Sequence, residues 1–257
     1  MIFHVLGSGA FAPEPGQRGR APGRGGVVRN PAGYALDTDR GVLLFDFGFG
    51  SLRQLYRAGL ESRRVSHAFF THRHPDHVGD LAALLFQLRY DAKPDSGVLR
   101  LFGPRGFAAF CKRLARAYEP WTDPKGFRLV VRDLRAGESV EGAGWRVACR
   151  AVPHPTEALA FRLDGARQSL CYTGDTGYDP GLAEFARGAD LLVLECSLPD
   201  GARAEGHLNV SEALRLAKSS GARRVLLSHL SGASARGAAG RLPRGVRLAR
   251  DLMRVRL

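Results

Sequence analysis

The segment Thr71-His72-Arg73-His74-Pro75-Asp76-His77 constrains this chain more than any other. It follows the apolar run Ala68-Phe69-Phe70 and precedes a stretch in which Val78, Leu81, Leu84, Leu85 and Leu88 recur at helical spacing. Three imidazoles and a carboxylate at a strand's end converge only if the chain turns there, and Pro75 suits a turn leading into a helix. Mixed nitrogen and oxygen donors match zinc, with manganese or iron as alternatives. The bland alternative is a histidine-rich solvated turn.

So short a cluster cannot fill the coordination shells of two ions, so further donors must come from elsewhere. Three candidates end or follow β-like runs. His154 lies between Pro153 and Pro155 after Val147–Val152, Asp175 follows Ser169–Thr173, and His229 closes Leu226-Leu227-Ser228. A lone histidine or aspartate at a strand end is more often structural than a ligand. Three in the same setting, in a chain already carrying the cluster, reverse that expectation. His4 and His67 fall in or beside strands outside the motifs and read as structural. Asp80 reads either as a carboxylate orienting a ligand histidine or as a plain helix-surface group.

The rest of the chain supplies the frame. β-like runs are expected at 2–6, 33–36, 42–47, 67–71, 98–102, 127–131, 145–151, 158–163, 169–173, 191–195, 225–228 and 253–257. Several are apolar on both faces, as in strands buried between layers. Helices are expected after His77, over 106–118 and over 210–220; the last has Asn209 as N-cap, Glu212 three residues on, and Gly221 as its stop. Strands and helices mix along all 257 residues with no dividing linker, so the fold class is α/β in a single domain, 1–257. Residues 13–28, rich in Gly, Pro and Arg, read as a flexible loop.

No apolar run approaches a membrane span. The first residues read as a strand rather than a signal peptide. The four cysteines are widely spaced, which fits a reduced, cytoplasmic setting. Net charge is +13, and lysine occurs only at 93, 112, 125 and 218, so arginine carries almost all of it. That balance suits a polyanionic partner, or reflects coding bias toward arginine.

The pattern HxHxDH, then His154, then Thr173-Gly174-Asp175-Thr176, then His229, resembles the metallo-β-lactamase superfamily, and within it ribonuclease Z and smaller phosphodiesterase relatives. Phe45-Asp46-Phe47-Gly48-Phe49-Gly50 with Arg53-Gln54-Leu55 resembles that family's DxGxG…RQL segment. Leu194-Glu195-Cys196 resembles the place where ribonuclease Z carries His-Glu-Ala-Thr. The resemblance implies a four-layer αββα sandwich with two metal ions at one rim. It would assign His72, His74 and His154 to the first, Asp76, His77 and His229 to the second, and Asp175 as a bridge. It further implies a proton relay of His207, as donor, and Glu195. Asp76 has a second role open to it, as acceptor of the attacking water's proton. The alternative is that Glu195 is an ion-pair partner and His207 merely precedes a helix cap.

The expected function is therefore a metal-dependent hydrolase, a ribonuclease Z-like phosphodiesterase acting on RNA 3′ ends or on small or cyclic nucleotide phosphodiesters. A homodimer is an expected assembly, and no membrane partner is expected. Arg29-Asn30 before a strand resembles a loop that ribonuclease Z uses near the RNA end. Against tRNA, the interval from His154 to Asp175 holds a hairpin-like pair and has no room for the long arm of ribonuclease Z, and the His-Glu-Ala-Thr motif is only partly present. The rival functions are a carboxylic-ester or lactone hydrolase and a non-catalytic metal-binding carrier.

Overall fold

The computed structural model describes residues 1–10 and 28–257. The loop expected over 13–28 therefore lies, but for Val28, outside the described residues. In chain order the strands are β1 (Ile2–Gly7), β2 (Gly33–Thr38), β3 (Gly41–Phe47), β4 (Val65–Phe69), β5 (Val98–Pro104), β6 (Arg128–Leu134), β7 (Ser139–Gly142), β8 (Trp145–Ala151), β9 (Leu159–Gly165), β10 (Ser169–Tyr172), β11 (Leu191–Glu195), β12 (Val225–Ser228), β13 (Val246–Leu248) and β14 (Arg254–Arg256). The helices are α1 (Ser51–Arg57), α2 (Pro75–Val78), α3 (Leu81–Tyr90), α4 (Phe107–Ala117), α5 (Gly181–Phe185), α6 (Val210–Ser220) and α7 (Gly232–Ala238).

Seven strands form one sheet in the order β14-β1-β2-β3-β4-β5-β6, and seven form the other in the order β13-β12-β11-β10-β9-β8-β7. Both are mixed: β3 to β6 run parallel, as do β10 to β13, and the remaining pairs are antiparallel. Three apolar clusters make the layering plain. One lies between the sheets and is dominated by aromatics: Phe3, Tyr34, Phe45, Phe69, Phe102, Trp145, Phe161 and Tyr172. The second covers the outer face of the β7–β13 sheet with α5, α6 and α7 residues, and the third covers the outer face of the other sheet with residues of α1 to α4. This is the four-layer αββα arrangement expected. Ring pairs such as Phe45–Phe69 at 5.4 Å and Phe69–Phe102 at 5.1 Å contribute about 0.5–1.5 kcal/mol each beyond burial.

The helix over 210–220 forms as expected. Asn209 accepts from Glu212 N, Glu212 answers back to Asn209 N, and Gly221 takes the left-handed conformation. Two short edge strands, β7 and β13, and three helices, α1, α5 and α7, were not expected. All are short, and their outward residues carry little periodic signal. The helical run after His77 is two helices, broken at Gly79-Asp80. Asp80 fits neither expectation: its carboxylate accepts Leu52 N at 2.8 Å and so caps the start of α1. His67 is structural, stacked on Phe102 and edge-on to Trp145, and His4 is buried in β1. Among the described residues no helix is long and apolar enough to cross a membrane, and all four cysteines are free and buried.

Candidate metal centre

The residues singled out for chemistry end or follow strands at one rim, except His207, which lies in the loop before α6. The cluster at residues 72–77 leaves β4, His154 follows β8, Asp175 follows β10, Glu195 ends β11 and His229 follows β12. Leu159 N donates to Thr71 O at 2.9 Å and ties the two sheets together at this rim. Pro75 opens α2 directly after His74, so Asp76 and His77 turn back toward His72.

The donor atoms converge. His72, His74, His154 and Asp175 form one group, Asp76, His77 and His229 a second, and Asp175, His207 and His229 a third; within each, the ligand atoms lie within 4.8 Å of one another. His77 Nε2 is 3.3 Å from Asp175 Oδ1 and 3.6 Å from Asp76 Oδ2. His229 Nε2 is 3.3 Å from Asp76 Oδ2 and 3.4 Å from Asp175 Oδ2. His74 Nδ1 and His154 Nε2 face each other at 3.4 Å.

The hydrogen bonds behind these rings fix where their lone pairs point. Asp46 Oδ2 takes His77 Nδ1–H at 2.7 Å, leaving Nε2 bare toward the centre. The Thr71 hydroxyl donates to Asp46, so its oxygen accepts from His72 Nδ1 at 3.0 Å and His72 Nε2 is bare. His154 Nδ1 donates to Gly206 O at 3.1 Å. His72 Nε2 and Asp175 Oδ1 are buried and have no hydrogen-bond partner among the described residues. Buried polar atoms are rarely left so, and bare imidazole nitrogens facing carboxylates fit a divalent cation. Burial, chiefly, pushes His72, His74 and His154 down, which keeps these rings neutral and able to coordinate. Burial opposes the charge on Asp175, but His229 and His77 outweigh it and hold its carboxyl well below the usual range.

Several residues that hold the site were not picked out from sequence. Asp46, fully buried, also takes Thr71 N and the Tyr172 hydroxyl at 2.7 Å each. It stood in the DxGxG stretch, but nothing local says which way it points. Asp46 and His229 have φ of 53° and 54°, a conformation costing about 1–3 kcal/mol each in non-glycine residues and concentrated at functional sites. Gly206, at φ +76°, is required on two counts, since a Cβ there would come within 2.5 Å of His154 Nδ1.

The structure brings Glu195 and His207 together. Glu195 is buried and accepts His207 Nδ1 at 3.0 Å, Leu208 N at 2.6 Å and the Ser197 hydroxyl at 2.5 Å. Ser197 stands where the His-Glu-Ala-Thr motif ends in threonine, and it keeps the hydroxyl. Burial disfavours the imidazolium of His207, but the Glu195 hydrogen bond and charge outweigh it and raise the pKa. Arg29, expected near RNA, is turned inward: Nη1 donates to Ser8 Oγ and Ala249 O at 2.7 and 2.6 Å, while Asn30 N donates to Asp251. The β9–β10 hairpin fills the interval after His154, so the long arm is absent as expected.

The family model described as the beta-lactamase superfamily domain matches residues 42–230. The chain belongs to the metallo-β-lactamase superfamily. Among relatives of this superfamily, a ribonuclease BN of Erwinia tasmaniensis is 25% identical over 90% of this chain and 89% of that protein. An uncharacterized protein of Mycobacterium tuberculosis is 33% identical over 73% of this chain and 69% of its own length. The crystal structure of human tRNase Z, short form, superposes with a TM-score of 0.79 at 24% identity, covering 100% of this chain and 99% of that one. This metallo-β-lactamase chain is thus a ribonuclease Z-like protein and a metal-dependent hydrolase.

Proposed function

We propose that the chain is a binuclear, zinc-dependent phosphodiesterase that cuts RNA 3′ ends or small or cyclic nucleotide phosphodiesters. His72, His74 and His154 would hold one ion, Asp76, His77 and His229 the other, with Asp175 shared between them. Manganese or iron would satisfy the same donors. When bound, the ions lower the pKa of water toward neutrality and screen charge growing on the phosphate oxygens.

The observation that carries this reading is the Glu195–His207 pair standing against Asp175 and His229. Expelling an alkoxide needs a proton beside the charged centre, and an imidazole with a raised pKa holds one near neutral pH. His207 would donate from Nε2, since Nδ1 is engaged by Glu195. Glu195 keeps the ring oriented and supports its charged form. Asp76 would serve as a ligand and, in its second role, accept the attacking water's proton. A non-catalytic carrier has no use for such a donor. The ribonuclease name of the Erwinia relative and the net charge of +13 support a phosphodiester over a lactone.

The test is an activity panel on zinc- and manganese-loaded protein, using bis-p-nitrophenyl phosphate, cyclic nucleotides, a tRNA precursor and lactones. Phosphodiester turnover is expected. Lactone turnover without it would favour the ester hydrolase, and metal-loaded protein inert to all would favour the carrier. The proposal places the protein in the cytoplasm, where its four free cysteines stay reduced. A homodimer belongs to the proposal as well, and sedimentation equilibrium checks it.

A further inference from the structure

Beside the metal centre, at the ends of β5 and β6, lies a cleft of about 390 Å³ lined by Arg105, Arg132, Asp133, Arg135 and Glu138. β4, β5 and β6 are adjacent and parallel, so the cleft lies at the same rim as the residues that leave β4. Arg73, between His72 and His74, lays its guanidinium against Gly106, so that a Cβ on that glycine would stand 3.1 Å from Nη1. Gly106 adjoins the lining residue Arg105, so Arg73 reaches from the HxHxDH turn to the edge of the cleft.

Its acidic groups are already engaged. Asp133 accepts Gly106 N and Ala108 N at 2.7 Å each, which caps α4. Glu138 lies 3.7 Å from Arg132, whose guanidinium also covers the Phe102 ring, 5.5 Å from its centroid. Arg73, Arg105 and Arg135 have no ion pair among the described residues. Some arginines elsewhere pair, as Arg63 does with Glu61 and Arg150 with Asp179. Two unpaired guanidinium forks in the cleft, Arg105 and Arg135, with Arg73 at its edge, present donors that bind phosphate oxygens two at a time.

We propose that this cleft binds a second phosphate of the substrate, next to the one cut at the metal centre; this rests on the phosphodiesterase reading. Successive phosphates of a nucleotide chain are one sugar apart, so a seat for the second belongs beside the seat for the first. The cleft then makes the enzyme prefer substrates with two or more phosphates over single phosphodiesters.

The experiment compares kcat/KM for the dinucleotide ApA with that for pApA, ApAp and the trinucleotide ApApA on zinc-loaded protein. At least one of the last three is expected to be preferred. The Arg105→Gln/Arg135→Gln double variant is expected to lower that preference roughly tenfold or more, mainly through KM, as loss of charged hydrogen bonds does. An Arg113→Gln/Arg116→Gln control removes the same charge from α4 and is expected to keep the preference. Sensitivity of ApApA assigns the cleft to a phosphate within a chain; sensitivity of pApA or ApAp alone assigns it to a terminal phosphate. An unchanged preference in the cleft variant, or an equal loss in the control, overturns the proposal. Calorimetric binding of adenosine 3′,5′-bisphosphate relative to AMP needs no turnover. If the cleft variant loses that difference while the wild type cuts no dinucleotide, the cleft stands and the phosphodiesterase reading falls. If dinucleotides are cut and neither measurement responds, the cleft alone falls.

Discussion

The two halves of the candidate centre are built from different material. His72, His74 and His154 are three imidazoles, two of them only half-buried, backed by a hydroxyl and a backbone carbonyl. Asp76, His77 and His229 include a carboxylate of their own, and a second carboxylate, Asp46, stands directly behind His77. Negative charge at and behind the ligands raises their basicity and favours a cation. The Asp76 half should therefore fill first and release last, while the imidazole half, open to solvent, exchanges its ion more readily.

The sharpest way to break this contrast is to remove what the halves share. Asp175→Ala should abolish turnover and reduce metal in both, read by elemental analysis of loaded protein. His74→Ala should also abolish turnover but reduce metal in the imidazole half alone. Equal loss from both halves in His74→Ala would mean that they fill as one unit and that the contrast is wrong. His207→Ala comes next. It should keep its metal and slow turnover roughly 10²–10⁴-fold, the span for a lost general acid. The sign of its pH dependence follows from the raised pKa of His207: the protonated ring is the working form, so wild-type kcat should fall as pH rises through that pKa, and the variant should lose this limb. An unchanged rate in His207→Ala would remove the relay.

The same contrast explains what could be read from the sequence. Residues 72–77 supply two ligands to each half and are local, so spacing alone exposed that part of both. His154, Asp175 and His229 became legible as strand-end residues because strands run 4–7 residues with a clear apolar pattern here. The supports behind them were not legible. Asp46 reaches His77 and Tyr172 across long stretches of sequence, and Gly206 offers His154 a carbonyl; such contacts depend on how the two sheets face each other. Asp80 and Arg29 looked functional by position, yet they hold backbone groups in place. β7 and β13 escaped because short edge strands bury few residues.

Asp46→Asn tests the support behind the carboxylate-rich half. The amide keeps the shape but cannot take four donors as an anion, so metal affinity should fall roughly 10–100-fold, more in the Asp76 half than in the other. A stepwise titration against a competing chelator separates the two. Equal weakening would show that Asp46 acts on both halves through Thr71.

Thr71→Val isolates that last route and should have the smallest effect. The Thr71 hydroxyl gives its proton to Asp46 and takes one from His72, so among the described residues it is the side-chain link by which Asp46 reaches the imidazole half. Valine has nearly the same shape but leaves His72 Nδ1–H buried without an acceptor, which costs about 1–3 kcal/mol of stability. The His72 ring then loses its fixed orientation, and affinity in that half should drop roughly tenfold. Asp46 still takes Thr71 N, the Tyr172 hydroxyl and His77 Nδ1–H, so the Asp76 half should bind as before. If Thr71→Val weakened the Asp76 half as much as its own, the two halves would be one mechanically coupled site, and the order of filling would follow from the network rather than from the charge beside each ion.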